Sequence, residues 1–184
     1  MSFFYIQGVT RMKNYTKLFI CSFIIFFIGL LLGLLFSFSL NLPQQPIQNE
    51  IIPDPSIYMA IKFLKHNGLV ALMLYIGLFT FAVSTIIVLI SNGFNLGFFI
   101  GIHYSLNRPL NQLWISILPH GIFEILGFLI AATIGLEGIR FYFIKNKTKN
   151  IKTYLILFLI SISCIFIAAL IEGYLTPFLL KNYI

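Results

Sequence analysis

Residues 110–136 read LNQLWISILPHGIFEILGFLIAATIGL, an apolar run interrupted by one histidine, His120, and one acid, Glu124. About 20 mostly apolar residues suffice to cross the hydrocarbon core of a bilayer, so the stretch predicts a transmembrane helix with ionisable groups inside it. Working outward from it, further apolar runs occupy 18–40, 69–90, 92–106 and 153–175. The run 92–106 is short, and parity decides how to count it. Arg11, Lys13 and Lys17 precede the first run, and Arg140, Lys145, Lys147, Lys149 and Lys152 crowd a later loop. The positive-inside rule puts both groups on the cytoplasmic side, which requires an even number of crossings between them and makes 92–106 a span. The expectation is an all-α, polytopic transmembrane bundle of about five spans. It forms a single integral domain over 1–184 in the cell (cytoplasmic) membrane, with the N-terminus cytoplasmic and the C-terminus external.

The external loop 41–68 divides in two. Pro43, Pro46, Pro53 and Pro55 mark its first part. Asp54 then serves as an N-cap with Pro55 at the first helical position, and Ile57, Ala60, Ile61 and Leu64 share one face. This predicts a short interfacial helix lying on the outer leaflet.

Composition excludes several function classes. The chain is 59 % hydrophobic and 9 % charged, against about 45–50 % and about 25 % in soluble domains, so lipid and neighbouring helices must receive the apolar surplus. The net charge of +7 comes from loop lysines and arginines rather than from a basic face with interleaved aromatics. It reads as topology and not as nucleic-acid binding. Cys21 and Cys164 lie within apolar runs and read as packing residues. The first run is too long for a signal-peptide core and lacks a small-residue cleavage site after it, so it is expected to stay as a span. No Ser/His/Asp arrangement, phosphate-binding glycine loop or Cys-rich metal motif is present, which leaves soluble-type hydrolase and nucleotide-driven chemistry without support.

Of five acids, Glu124 and Glu172 fall inside spans. An acid at bilayer depth costs about 2.5–3.5 kcal/mol on insertion scales and marks a functional site by default. His120, four residues before Glu124, projects from the same helix face. Gly127, Ala131, Gly135 and Gly138 continue that face as a small-residue stripe, matched on the last span by Ser161, Cys164, Ala168, Glu172 and Thr176. Gly93, Gly97 and Gly101 repeat on the third span, echoed by Gly29 and Gly33 on the first, a pattern for close helix contact. Spans three, four and five are therefore expected to form one close-packed unit. Counting helical rise places His120 and Glu172 at similar depths below the external face, with His103 within reach nearer that face.

One histidine and two carboxylates are donor types for a divalent metal such as zinc, with His103 as a further candidate. The same groups could act as general acid and base, pass ions or protons, or simply hydrogen-bond and pin the helices together. Pro119 and Gly121 flank His120 and predict a kinked or opened helix. Asn92 and Asn95, counted near the cytoplasmic end of the third span, read as a polar turn and an interhelical hydrogen bond. Glu137 and Arg140 form an i, i+3 pair at the inner interface.

The segments Asn92-Gly93-Phe94-Asn95-Leu96-Gly97, Leu118-Pro119-His120-Gly121-Ile122-Phe123-Glu124 and Ala168-Ala169-Leu170-Ile171-Glu172, with Thr176-Pro177 following, resemble the stage II sporulation protein M family of integral membrane proteins. The likeness runs from about residue 15 to 180, and Pro-His-Gly-x-x-Glu is its most specific part. The resemblance implies one of two settings. The namesake is a membrane partner of cell-wall hydrolases during spore engulfment, which implies a scaffold. Similar proteins in circular bacteriocin gene clusters help mature, circularise or export a hydrophobic peptide. Retention of the Pro-His-Gly-x-x-Glu segment points to the second setting, with His120, Glu124 and Glu172 as working residues. Partners implied are the lipid bilayer, a hydrophobic peptide or other membrane proteins, a further copy of the chain, and an ATP-driven transporter as energy source.

Overall fold

The computed structural model describes residues 2–40, 52–143 and 151–183. Pro43 and Pro46 of the first loop, and Lys145, Lys147 and Lys149 of the basic loop, lie outside the described residues. The described residues are helical and without strands: α1 (Ser2–Ser39), α2 (Ile57–Ile76), α3 (Val83–Ser105), α4 (Leu110–Leu136), α5 (Gly138–Phe143), α6 (Ile151–Leu170), a π-helical turn (Ile171–Leu175) and α7 (Thr176–Tyr183). Five helical stretches are long and apolar enough to cross a membrane: Asn14–Ser39, Ile57–Ile76, Val83–Ser105, Leu110–Arg140 and Ile151–Tyr183. The protein is a multi-pass membrane protein built as a helix bundle.

The number of spans is the expected one, but the second and third are divided differently. The expected break at residue 91 does not exist, because α3 runs through it and the Asn92 amide donates to the Val88 carbonyl of its own helix (2.8 Å). The break falls instead at 77–82, an apolar turn that a hydrophobicity scan reads as membrane. Phe81 and Ala82 adopt positive φ there (52° and 66°), and the Ser84 and Thr85 hydroxyls donate to the Met73 and Leu74 carbonyls at the end of α2. The predicted interfacial helix is correspondingly the first half of α2, a spanning helix. Its N-cap is Ser56, whose hydroxyl accepts from the Met59 amide (3.3 Å). Asp54, expected in that role, pairs with Lys181 of α7.

Packing also departs from the expected unit of spans three, four and five. The glycine stripe of α3 meets α1. A β-carbon at Gly93 or Gly97 would run into the carbonyl oxygens of Phe26 or Leu30, and one at Gly29 or Gly33 into those of Ile90 or Phe94. These reciprocal contacts bring two backbones together with no side chain between them. Where lipid tails are as apolar as leucine, such close contact supplies the dispersion that holds helices together.

The pairing of α4 with α6 is as the stripes imply. The Ser161 hydroxyl donates to the Gly127 carbonyl (2.8 Å) and accepts from the Tyr75 hydroxyl (2.9 Å), tying α6, α4 and α2 at one point. Farther along α4, Gly135 lies against the Leu74 carbonyl and Gly138 against that of Gly77. The stripe therefore serves two neighbours rather than one. Phe26, Leu74, Leu89, Phe128 and Ile165, from α1, α2, α3, α4 and α6, form the buried core.

Candidate functional site

The site is built where α4 passes the π turn. His120 and Glu124 project from one face of α4, which stays helical through Pro119. Glu172 is reached by an unusual route. An α-helix carried straight past Leu170 would keep its 3.6-residue register, whereas the wider turn Ile171–Leu175 inserts a shift in facing. π turns of this kind are frequent at functional sites. The turn is held from the side by α2, because Gly173 lies directly on the backbone of Ala60 and its carbonyl accepts from the Ser56 amide (3.1 Å).

The three residues meet. His120 Nε2 is 3.8 Å from Glu172 Oε1, and one donor atom from each of His120, Glu124 and Glu172 lies within 4.8 Å of the others. His120 Nδ1 faces the Thr176 hydroxyl at 3.3 Å, which fixes the ring and leaves Nε2 turned to the carboxylates. Glu124 is served by the side-chain amide of Asn67, a buried residue of α2. Glu172 Oε2 is buried and has no hydrogen-bond partner among the described residues.

His103 does not join the group. It is buried at the end of α3, where Nε2 sits 3.0 Å from the Pro109 carbonyl and closes the α3–α4 loop. Asn92 and Asn95 are not at a helix end but midway along α3. Both line a cavity of about 510 Å³ together with all three residues of the trio. Thr176 and Pro177 are buried at the start of α7, directly after the π turn. Gly121 faces the cavity, and a β-carbon there would meet only the Ile117 side chain, at 3.2 Å. Arg140 and Glu137 pair at 3.5 Å beyond α4.

Sequence reasoning missed Lys62, His66 and Asn67, which line the same cavity. It had assigned them to an interfacial helix and the loop after it. The signal that recovers them is the spacing from Ser56, a good helix cap, to Gly77, a good helix end, which frames one spanning helix with His66 and Asn67 at its centre.

Residues 22–177 match the family model of stage II sporulation protein M. The chain belongs to that family. An uncharacterized protein of Methanocaldococcus jannaschii is similar to it, 37 % identical over 171 residues that cover 86 % of this chain and 93 % of the relative. No solved structure matches the chain. The trio, the cavity and the α1–α3 glycines of this stage II sporulation protein M family member all fall inside the matched region.

Proposed function

We propose that this chain is a membrane-embedded factor that holds a divalent cation, zinc by its donor chemistry, at His120, Glu124 and Glu172, and acts there on a hydrophobic peptide received in the adjoining cavity. The observation that carries the reading is Glu172 Oε2, a buried carboxylate oxygen with no hydrogen-bond partner among the described residues, beside an imidazole nitrogen and a second carboxylate. A group that merely pinned helices would be satisfied, since nearly all buried polar atoms are. The donor set fits. One imidazole and two carboxylates are three protein ligands with a fourth position left for water or substrate, as catalytic zinc sites have. Donors bound to zinc at about 2.0–2.2 Å stand about 3.4 Å apart, so the trio closes on an ion by side-chain shifts on the order of 1 Å.

A divalent cation there supplies polarisation of a substrate carbonyl oxygen. The remaining tasks fall to the chain. Thr176 orients the His120 ring through Nδ1, Asn67 holds the Glu124 carboxylate, and the surrounding phenylalanines and helices exclude bulk water. Such supporting contacts are worth about 10–100-fold in metal affinity. The family resemblance supplies the substrate class: maturation, circularisation or export of a hydrophobic peptide of the circular bacteriocin kind. Within the same reading the chain is one membrane domain that works as a homo-oligomer or with an ATP-driven transporter. Lys17 in the first turn of the first span, with Arg140 and Lys152 flanking the later loop, supports a cytoplasmic N-terminus and an external C-terminus.

Metal analysis by mass spectrometry tests the reading. Purified wild-type protein in detergent is expected to carry near-stoichiometric zinc, and the His120→Ala/Glu172→Ala double variant, matched for folding, is expected to carry none. Metal absent from both would leave a scaffold that recruits other enzymes as the account of the protein.

A further inference from the structure

The cavity holds more polarity than the trio needs. Lys62 and His66 on α2 and Asn95 on α3 line it, are exposed, and make no hydrogen bond among the described residues. Asn95 stands ten residues from Ser105 and twelve from Val83, and His66 nine from Ile57 and ten from Ile76. At about 1.5 Å per residue each is some 14–18 Å from either end of its helix, the depth of lipid tails in a core about 30 Å thick. Uncovered polar groups do not persist at that depth.

The shape of the cavity says where a cover would sit. The hydrogen bonds joining α2 to α3 cluster at the 77–82 turn, where Ser84 and Thr85 reach Met73 and Leu74. Away from that turn the exposed lining residues, Lys62, His66, Asn95 and Phe99, belong to α2 and α3, whereas His120, Gly121 and Glu124 of α4 are more buried. The result is a cleft with polar lips and an acidic floor.

Three occupants compete. A lipid offers only acyl chain at this depth and leaves His66 and Asn95 unsatisfied. A second copy offers mainly apolar outer faces, such as those of α1 and α6, where Ile20, Phe23, Ile24, Leu155, Ile156 and Leu159 supply no hydrogen-bonding group. A helical segment has already spent its backbone groups on itself. An extended polypeptide presents N–H and C=O along its whole length. Groups on the same side of it recur about every 6.7 Å, close to the roughly 6 Å rise between Lys62 and His66, which are four residues apart on one helix face.

We propose that the α2–α3 cleft admits a non-helical polypeptide segment sideways from the bilayer and that Lys62, His66 and Asn95 bind its backbone on the way to the trio. This rests on the proposed function for what happens at the trio, but the binding itself needs no metal.

The experiment uses the full chain in lipid nanodiscs, in a Cys21→Ser/Cys164→Ser background with a nitroxide on Phe99→Cys, which lines the cleft beside the three binding residues. The probes are two synthetic hydrophobic peptides of equal length, one an uninterrupted helix and the other broken at its centre by Pro-Gly. The nitroxide is expected to be relaxed by oxygen and not by a water-soluble nickel chelate. The broken peptide is expected to immobilise it while the intact helix does not. In the cysteine-free, unlabelled protein, His66→Leu/Asn95→Leu is expected to weaken binding of the fluorescent broken peptide about tenfold or more. Relaxation by nickel would mean a water-filled vestibule. An equal response to both peptides, unchanged binding in the double variant, or spin–spin coupling between two copies would likewise overturn the inference. Zinc measured on the same samples separates the two readings. Peptide binding without zinc removes only the metal site, and zinc without peptide binding removes only the cleft.

Discussion

Two regions of this protein use small and polar residues on helix faces to opposite ends. Between α1 and α3 the glycines let backbone touch backbone with no side chain between. Between α2, α3 and α4 the same bundle keeps about 510 Å³ open and lines it with three asparagines, two histidines, a lysine and two acids. A bilayer gives little reward for closing a helix pair beyond contact itself, so the first region is packed as tightly as backbones allow. It gives a large penalty for unsatisfied polarity, which is why the proposed function places the bound peptide in the second. The contrast separates residues that build the bundle from residues that work in it.

The contrast is broken most directly at its tight end. Gly97→Leu would force a branched side chain into the Leu30 carbonyl, with no flexible neighbour to move aside. Overpacking costs about 1–3 kcal/mol in forgiving cores and more where backbone is struck. The expected outcome is loss of the monodisperse folded species on size-exclusion chromatography in detergent. Gly121→Ala, on the cavity face of α4, meets only the Ile117 side chain and should elute as wild type. If both variants behave alike, the division between packing glycines and site glycines is wrong.

The open end is probed by Glu172→Gln, which keeps shape and removes charge. Because the proposed function makes the lost group a ligand, zinc affinity should fall by about a hundredfold or more, beyond the usual cost of losing a supporting contact. The melting temperature should stay within a few degrees of wild type or rise, since the buried Oε2 has no partner among the described residues to lose. Competition with a chromogenic chelator measures the first, and differential scanning fluorimetry the second. A large fall in stability with unchanged zinc would identify the trio as a structural pin.

How much of this was legible in the sequence follows the same division. Long apolar runs and buried acids stand out against their surroundings, so the five-span count, α4 to the residue, and the meeting of His120 with Glu172 could be read in advance. What could not be read was where one apolar run folds back on itself. The 77–82 turn consists of Gly77, Leu78, Phe79, Thr80, Phe81 and Ala82, which look like membrane, and it turns because of tertiary contacts. Tyr142 donates to the Phe79 carbonyl (3.0 Å) and stacks on Phe81, and Gly138 makes room for the Gly77 carbonyl. That single misplacement hid Lys62, His66 and Asn67. The π turn was equally invisible, since Ile171–Leu175 has no local signature apart from Gly173, whose role is to approach α2.

Gly173→Ala offers an intermediate effect that joins the two regions. Its β-carbon would lie 2.6 Å from the Ala60 amide nitrogen and 2.7 Å from its Cα, so the π turn must move off α2 and take Glu172 with it. A stability loss of about 1–3 kcal/mol is expected, accompanied by weaker zinc binding. A variant that lost stability alone would show that the turn is packed by α2 without being positioned by it.

The smallest effect is expected at Asp54→Asn, and it decides what fastens the segment before α2. Two contacts tie that segment to the last span: Asp54 with Lys181, and the Ser56 amide with the Gly173 carbonyl. The ion pair is exposed, and exposed pairs add little once their screening by solvent is counted. The Lys181 ammonium, by hydrogen bond and then by charge, holds the Asp54 carboxyl below the usual carboxylate range. A depressed pKa gives a contribution present above the unfolded value and lost as pH falls through the folded one. Any weakening from this pair therefore begins only below about pH 4. At neutral pH the variant should leave the melting temperature and the exchange protection of the Ser56 amide unchanged, because the backbone bond, shielded by the Gly173–Ala60 contact, does the fastening. Fast exchange at Ser56 in the variant would reverse that assignment and make a surface charge pair the hold on the turn that carries Glu172.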